Sequence, residues 1–502
     1  MVSTLVIFMG CFPRCKSSGG KEPENRIGSK GDQAGALTGA GKSTFINPVY
    51  LVCTVNVPTP DDGGKVTSIR PNVVLFISHD TGRHLSPYGI DQVHTPHSQR
   101  LAEEGVVFSQ AFCTSPLCSP SRAAIVTGRY PHQNGVMGLS GRPTGLFDLY
   151  EGEQHAARLF AGAGYESVLC GFEHETSDCT SVGFERLLCG SGKGTNGGGD
   201  LRDFAGGIAT WLDSRPSQRP FYLQIGCHET HQQWTANQVE PDTANGVWMP
   251  PYLADNDDIR REMGEFQGAV RRLDQELGSI RAALEEAGQW ENTIFVFTTD
   301  HGIDLPRAKG TCFDPGLEVF LQLSFPAGGW GQGCVIERLT STIDILPTLL
   351  QACGIAVPDK CAGQSLVPLL EGGQASGQER IFAEKTFHDT YDPMRCVRTQ
   401  RYKYIRYFEV NIFEDLRLAT MTRRHYWEGP WRRANFEEAL YDLEQDPLEM
   451  DDVAEQPHYA EIKAQLKGAL ARWMQETNDP LLQGPVPSPY YRAGLEDLRS
   501  SL

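Results

Sequence analysis

The sequence lacks several features that would assign it to a specialised class of protein. No apolar run reaches the roughly 20 residues that span a bilayer. No Asn-x-Ser/Thr acceptor occurs in the 502 residues, which excludes heavy N-glycosylation. The 14 cysteines are too dilute for a disulfide scaffold. Acidic residues outnumber basic ones, and the net charge is −18. This charge argues against nucleic acid as a partner. Any anionic substrate would need a local basic pocket.

The remaining composition is that of an ordinary globular protein, with 40% hydrophobic and 22% charged residues. The length allows two or more domains. Residues 2–12 are apolar but short and have no basic residue before them, so they indicate either a weak signal peptide or a start assigned too far upstream. We predict that residues 1–69 form a disordered or targeting tail. The compartment stays open, with a secreted, periplasmic or lysosome-like location favoured over the cytoplasm.

Apolar runs at 73–77, 165–169, 221–226 and 293–298 predict buried strands of a parallel sheet. Polar residues follow each run, namely His79 and Asp80, His174, His228 and His231, and Asp300 and His301. Ligands of open α/β sheets bind beyond the carboxyl ends of the strands. These side chains are therefore candidates for metal or substrate binding. Apolar residues between Ile259 and Leu284 recur at helical spacing and predict a long amphipathic helix packed on the sheet.

The segment CSPSRAAIVTG at residues 118–128 is the most informative motif of the chain. Ser119 is predicted to be the N-cap of a helix, and Pro120 suits its first turn. Cys118 would then lie just before the helix N-terminus, with Arg122 one turn further on, and an anion over Cys118 would meet both. The alternative is a buried cysteine before a capped helix.

The pattern Cys-x-Pro-Ser-Arg followed by Thr-Gly resembles the signature of the type I, formylglycine-dependent sulfatases. His132-Gln133-Asn134-Gly135 is similar in particular to sulfamidase-like members of that family. The resemblance implies that a formylglycine-generating enzyme oxidises Cys118 during maturation. One hydroxyl of the hydrated aldehyde would attack sulfur, and the other would expel sulfate in a second step.

The resemblance also implies roles for other residues. The implied metal ligands are Asp80, Cys118, Asp300, His301 and His79, where His79 replaces an aspartate of the family. The implied catalytic residues are Cys118, Arg122, Lys309, His231 as proton donor and His174. The implied substrate contacts are His174, His231, Lys309, His388 and Arg395. Phe172 stands where sulfamidases have a sulfate-binding lysine.

The family fold leads us to expect an α/β protein of the alkaline phosphatase superfamily. Its mixed, largely parallel central sheet would be sandwiched by helices in a catalytic domain at 70–375. A smaller C-terminal α+β subdomain at 376–502 would add a small antiparallel sheet and a helix.

The predicted function is hydrolysis of a sulfate ester or sulfamate, on a sulfated carbohydrate or a small sulfate ester. One divalent metal is expected. Calcium is favoured because Asp80, Asp300 and a formylglycine oxygen would be oxygen ligands. The histidines leave manganese or zinc as alternatives. Asp300-His301 favours a second hypothesis, a phosphonate monoester or phosphodiester hydrolase of the same superfamily. The third is a carbohydrate-binding homologue with an unconverted Cys118. No membrane span is expected, and a homodimer is a possible assembly.

Overall fold

The computed structural model describes most of the chain from Arg70 onward, namely residues 70–141, 146–189, 204–215, 219–235, 239–373, 377–388, 390–409 and 437–502. All of them belong to one compact unit, Leu51–Leu502. The predicted tail at 1–69 lies outside the described residues. The predicted domain boundary near residue 375 stays a prediction.

The strands of the described residues are, in chain order, β1 (Asn72–Ser78), β2 (Val106–Phe108), β3 (Ala111–Phe112), β4 (Glu166–Gly171), β5 (Arg186–Leu188), β6 (Phe221–Gly226), β7 (Thr293–Thr299), β8 (Glu318–Val319), β9 (Leu321–Ser324), β10 (Cys334–Ile336), β11 (Thr340–Ser341), β12 (Arg380–Phe387), β13 (Tyr391–Thr399), β14 (Tyr402–Tyr407) and β15 (Glu438–Asp442). The predicted apolar runs are the strands β1, β4, β6 and β7.

The α-helices of the same residues are α1 (Pro96–Glu104), α2 (Cys118–Thr127), α3 (Pro131–Asn134), α4 (Ala156–Gly162), α5 (Phe204–Ser214), α6 (Asp257–Glu286), α7 (Asp314–Leu317), α8 (Ile345–Ala352), α9 (Val367–Leu370), α10 (Ala460–Glu476) and α11 (Pro489–Ser500). The predicted amphipathic helix is α6, which the side chain of Asn256 caps by accepting from the N–H of Ile259. Among the described residues, no helix combines the length and apolar character needed to cross a membrane.

The large sheet has the strand order β10-β2-β9-β7-β1-β6-β4-β5 in the described part of the chain. Every pairing is parallel except those of β9, which runs antiparallel to both β7 and β2. The sheet is therefore mixed and largely parallel, as predicted. Strand β1 lies at its centre, and all seven of its residues are buried.

Helices cover both faces of this sheet. Successive side chains of a strand point to opposite faces, and each face packs against helices in a hydrophobic core of its own. Val73, Leu75 and Ile77 of β1 contribute to the core that includes residues of α2, α4 and α8. Val74 and Phe76 contribute to the opposite core, which includes residues of α1, α5 and α6. This layering confirms the predicted sandwich.

The C-terminal region adds the antiparallel sheet β12-β13-β14-β15. Helix α10 packs on it, and the ring of Trp473 stacks on Phe382 of β12 with 5.0 Å between centroids. Leu466 and Leu470 of α10 join Val397 and Tyr404 in the same buried cluster. The predicted small sheet with one helix is confirmed.

Candidate active site

Four neighbouring strands of the large sheet, β4, β6, β1 and β7, end at the same edge because they are parallel. The segments that follow them bring the predicted site residues together. These residues are His174 after β4, His228 and His231 after β6, His79 and Asp80 after β1, and Asp300 and His301 after β7. The site therefore lies at the carboxyl edge of the sheet, where the sequence places it.

Two carboxylates and a thiol form the centre of the site. The backbone N–H of Asp80 donates to Oδ1 of Asp300 at 2.9 Å, which ties the two strand ends together. The Sγ atom of Cys118 lies 3.9 Å from Oδ1 of Asp80 and 3.4 Å from Nε2 of His301. Ligand atoms of His79, Asp80, Cys118 and Asp300 all lie within 4.8 Å of one another, and all four residues are buried.

Cys118 is the first residue of α2, two positions further into the helix than predicted. The N-cap is Leu117, in an extended conformation and without a side-chain hydrogen bond. The prediction that Ser119 caps the helix is therefore wrong. Its hydroxyl instead accepts from the N–H of Ser140 at 3.0 Å and so holds a neighbouring loop against the helix. The thiol still lies at the positive end of the helix, as expected.

Arg122 follows one turn later in α2 and is fully buried. Its Nε donates to Oδ2 of Asp300 at 2.9 Å, and its Nη2 donates to the carbonyl of Ser78 at 2.7 Å. Its Nη1 is buried and has no hydrogen-bond partner among the described residues. The guanidinium lies 4.9 Å from the ring centroid of Phe172. Arg122 thus binds a site carboxylate and keeps one donor for a ligand.

Lys309 extends into the other side of the site from the loop after β7. Its Nζ lies 2.6 Å from Oδ2 of Asp80, 3.4 Å from Oδ2 of Asp304 and 3.3 Å from Nε2 of His231. The Nδ1–H of His231 donates to the carbonyl of Gln232 at 2.6 Å, so the Nε2 atom faces Lys309. About a quarter of the His231 side chain is exposed, at 24%, which makes it accessible to a substrate.

The donor atoms of this site fit a divalent metal ion. Both ring nitrogens of His79 are buried and have no hydrogen-bond partner in the described residues. Nε2 of His79 lies 3.5 Å from Oδ2 of Asp300 and 3.6 Å from Oδ1 of Asp80. The Nδ1–H of His301 donates to the carbonyl of Gly302 at 2.9 Å, which turns Nε2 toward Asp80 at 3.0 Å. Buried carboxylates and imidazoles that converge in this way are the ligands metals use.

The electrostatics of the site agree with this interpretation. Burial lowers the pKa of His79 well below its ordinary value, so its imidazole is neutral and can bind a cation. Burial alone would raise the pKa of Asp80, but Lys309 and the surrounding histidines hold it well below its ordinary value. Burial would lower the pKa of His301, but Asp300 and Asp80 raise it well above the ordinary value. His301 is therefore protonated in the metal-free site, and a bound cation would replace that proton.

The backbone is strained at two site residues. Asp80 has a φ of 56° and His174 a φ of 64°, both in the left-handed region that side chains other than glycine rarely adopt. Such conformations cost of order 1–3 kcal/mol each and occur mainly where a site must be held in one geometry. This backbone conformation brings the carboxylate of Asp80 and the imidazole of His174 near the thiol of Cys118.

The predicted substrate contact at Arg395 is wrong. This side chain lies in β13 with no exposed surface, and its Nε donates to Oδ2 of Asp479 at 2.6 Å and lies 3.1 Å from Oε2 of Glu384. It joins the C-terminal sheet to the segment after α10. His388 lies directly after β12, and its backbone N–H donates to the carbonyl of Thr390 at 3.1 Å. Its contact with substrate stays a prediction.

One site residue was not predicted from the sequence. Asp304 contributes a carboxylate to the pocket and contacts Lys309. The signal available in the sequence was its position between Asp300 and Lys309, in the loop that follows a buried strand. Phe172 stands where sulfamidases have a lysine, and its ring centroid lies 5.5 Å from that of His79.

Comparison with known protein families matches residues 71–355 to the sulfatase family. Residues 308–420 match the C-terminal region of N-sulphoglucosamine sulphohydrolase. The chain is 27% identical to an ulvan-active sulfatase of Formosa agariphila over 83% of this chain and 77% of that protein. It is 25% identical to the human N-sulphoglucosamine sulphohydrolase over 83% of this chain and 92% of that one.

Among solved structures, the phosphonate monoester hydrolase of Agrobacterium radiobacter superposes with a TM-score of 0.63. It has 21% sequence identity and covers 81% of this chain and 96% of its own. At this identity the match establishes the fold. The sulfatase match is broader than any single motif, since it spans more than half of the chain and includes Asp80, Cys118 and Asp300. The chain belongs to the sulfatase family.

Proposed function

We propose that this sulfatase hydrolyses a sulfate ester or sulfamate carried by a carbohydrate, with Cys118 converted to formylglycine by a maturation enzyme. The observation that carries the proposal is the position of the Cys118 sulfur, 3.4 Å from His301 and 3.9 Å from Asp80. The curated relatives named above act on ulvan or on N-sulphoglucosamine, according to their names. Both support a sulfated sugar as the substrate class.

Asp80, Asp300, His79 and His301 would hold the metal together with residue 118. A bound divalent ion supplies Lewis-acid stabilisation of negative charge on the sulfuryl group, and formylglycine supplies the nucleophilic hydroxyl. We propose calcium for the formylglycine form, because Asp80, Asp300 and the new oxygen at residue 118 give an oxygen-rich set. Elemental analysis of converted protein made without added metal tests this choice, and stoichiometric zinc would overturn it.

The chain's own cations would bind the sulfuryl oxygens. Lys309 offers a buried ammonium group beside Asp80, and Arg122 offers its Nη1, which has no hydrogen-bond partner among the described residues. Preorganised donors of this kind are among the largest contributions to rate in acyl, phosphoryl and related transfers. They need no reorganisation because Asp80 and Asp300 already hold them in place.

His231 is the proposed proton donor to the leaving group. Burial and the nearby Lys309 lower its pKa, so the imidazole is neutral in the substrate-free protein. An anionic sulfate bound beside Lys309 would oppose both effects and favour a proton on Nε2 of His231. His174, whose ring lies 6.0 Å from that of His79, is the reserve candidate.

The experiment compares turnover of an aryl sulfate, N-sulfoglucosamine and an aryl phosphonate by converted protein. Cys118→Ala is the matched control for contaminating activity. Hydrolysis of either sulfated compound, lost in Cys118→Ala, supports the proposal. Turnover of the phosphonate alone would replace it with the second candidate, a phosphonate or phosphodiester hydrolase. The observation that favours that candidate is His301, whose Nε2 lies in the site beside Asp80.

A further inference from the structure

His79 and His174 share an uncommon property in the described part of the chain. All four of their ring nitrogens are buried and have no hydrogen-bond partner. His79 is 4% exposed and His174 is 6% exposed, so water does not supply the missing partners freely. A buried polar atom without a partner destabilises the folded protein. These nitrogens therefore indicate a ligand.

The thiol of Cys118 lies next to both imidazoles. Ligand atoms of His79, Cys118 and His174 lie within 4.8 Å of one another. Two nitrogens and one sulfur are a donor set that calcium avoids and zinc prefers. The oxygen donors Asp80 and Asp300 also lie within 4.8 Å of His79 and Cys118, and they belong to the site already described.

The fold fixes this set independently of substrate. His79 follows β1, and its backbone N–H donates to the carbonyl of Glu229 at 2.9 Å. The hydroxyl of Ser140 donates to the carbonyl of His174 at 2.8 Å, and Ser119 of α2 bonds to the backbone of Ser140. The strained turn at His174 is thus tied to the helix that carries Cys118. Binding of one ion would draw together three donors that already lie within 4.8 Å of one another.

We propose that the chain with an unconverted Cys118 binds a zinc-class cation through His79, Cys118 and His174. The thiol proton leaves to solvent as the thiolate binds, and a water molecule takes the fourth position. Oxidation of the cysteine to formylglycine removes the sulfur ligand and with it this preference. The inference concerns the thiol form alone, so it stands or fails separately from sulfate hydrolysis by the converted enzyme.

The test uses full-length protein produced without the maturation enzyme, with the intact thiol verified by peptide mass. Zinc content is measured after dialysis, and Co²⁺ is then substituted as a spectroscopic probe. We expect one equivalent of zinc and a thiolate-to-cobalt charge-transfer band. His174→Ala should weaken zinc binding by at least about tenfold, since it removes one of three protein ligands.

His228→Ala is the matched control, because its imidazole lies in the same pocket, 6.1 Å from the ring of His79, but outside the donor set. It should keep both the zinc and the band. Cys118→Ser, which alters a single atom, should lose the band and serves as the second variant if His174→Ala fails to fold. A cobalt complex without the charge-transfer band, or equal zinc affinity in His174→Ala and His228→Ala, would overturn the proposal.

Discussion

Replacing Arg122 with methionine removes a buried cation and keeps an apolar chain in place of the arginine stem. In the structure, Arg122 is the buried partner of Asp300, at 2.9 Å, and also donates to Ser78. Neither member of the ion pair has exposed side-chain surface. The Arg122→Met variant therefore leaves the Asp300 carboxylate in the protein interior without its main counter-charge.

The loss of stability can be estimated from this geometry. Breaking a buried pair by removing one partner costs about 3–5 kcal/mol. The Leu51–Leu502 unit holds about 450 residues, which corresponds to an unfolding entropy of about 0.9 kcal/mol per kelvin. The melting temperature of Arg122→Met should therefore fall by about 3–5 °C.

The assay is thermal unfolding of metal-free protein followed by circular dichroism. The matched control is Arg100→Met, because Arg100 pairs with Glu104 at 2.9 Å with half of its side chain, 51%, exposed to solvent. An exposed pair contributes about 0.2–1 kcal/mol, so the control should melt within about 1 °C of the wild type. Equal shifts in the two variants would refute the claim that burial makes the Arg122 pair important.

Three further predictions concern activity and pH. Lys309→Met should lower kcat/KM for an aryl sulfate by about 10²–10³-fold, since it removes a preorganised cation from the site, and steady-state kinetics of converted protein checks this. His231→Asn should cost up to about 10²–10⁴-fold with a poor alkyl leaving group and far less with a nitrophenol, because only the poor leaving group needs a proton; equal losses would contradict the assignment. Burial raises the pKa of Asp344 to about 7. Between about pH 4 and pH 7 the folded protein keeps the proton on this carboxyl group, whereas the unfolded chain, in which the aspartate pKa is about 3.9, has lost it. The free energy of unfolding should therefore fall as pH rises from about 4 to 7. Asp344→Asn should flatten that slope in thermal scans across this pH range.

The sequence predicted the sheet and the position of the site because both follow from local patterns. Continuous apolar runs are typical of strands buried on both faces, and β1, β4, β6 and β7 are such strands. Since parallel strands end at one edge, the polar residues after them had to meet there. The meeting of Asp80, Asp300 and Cys118 was predictable for this reason.

Other features depend on contacts between distant segments, which a local pattern does not specify. Ser119 has the residue type of an N-cap, but the loop that carries Ser140 competes for its hydroxyl. Arg395 has the charge expected of a substrate contact, but Asp479, 84 positions further along the chain, binds it in the interior. Asp304 lies only five positions before Lys309, but its contact with that lysine depends on the conformation of the loop between them, which no residue pattern specifies.

The central claim is that residue 118 acts as formylglycine. It is tested most directly by measuring, on one preparation made with the maturation enzyme, the mass of the peptide that spans Cys118 together with turnover of a sulfate ester. The account predicts that activity rises in proportion to the fraction of peptide carrying the aldehyde. Full activity in protein whose peptide retains the mass of an unmodified thiol would contradict it.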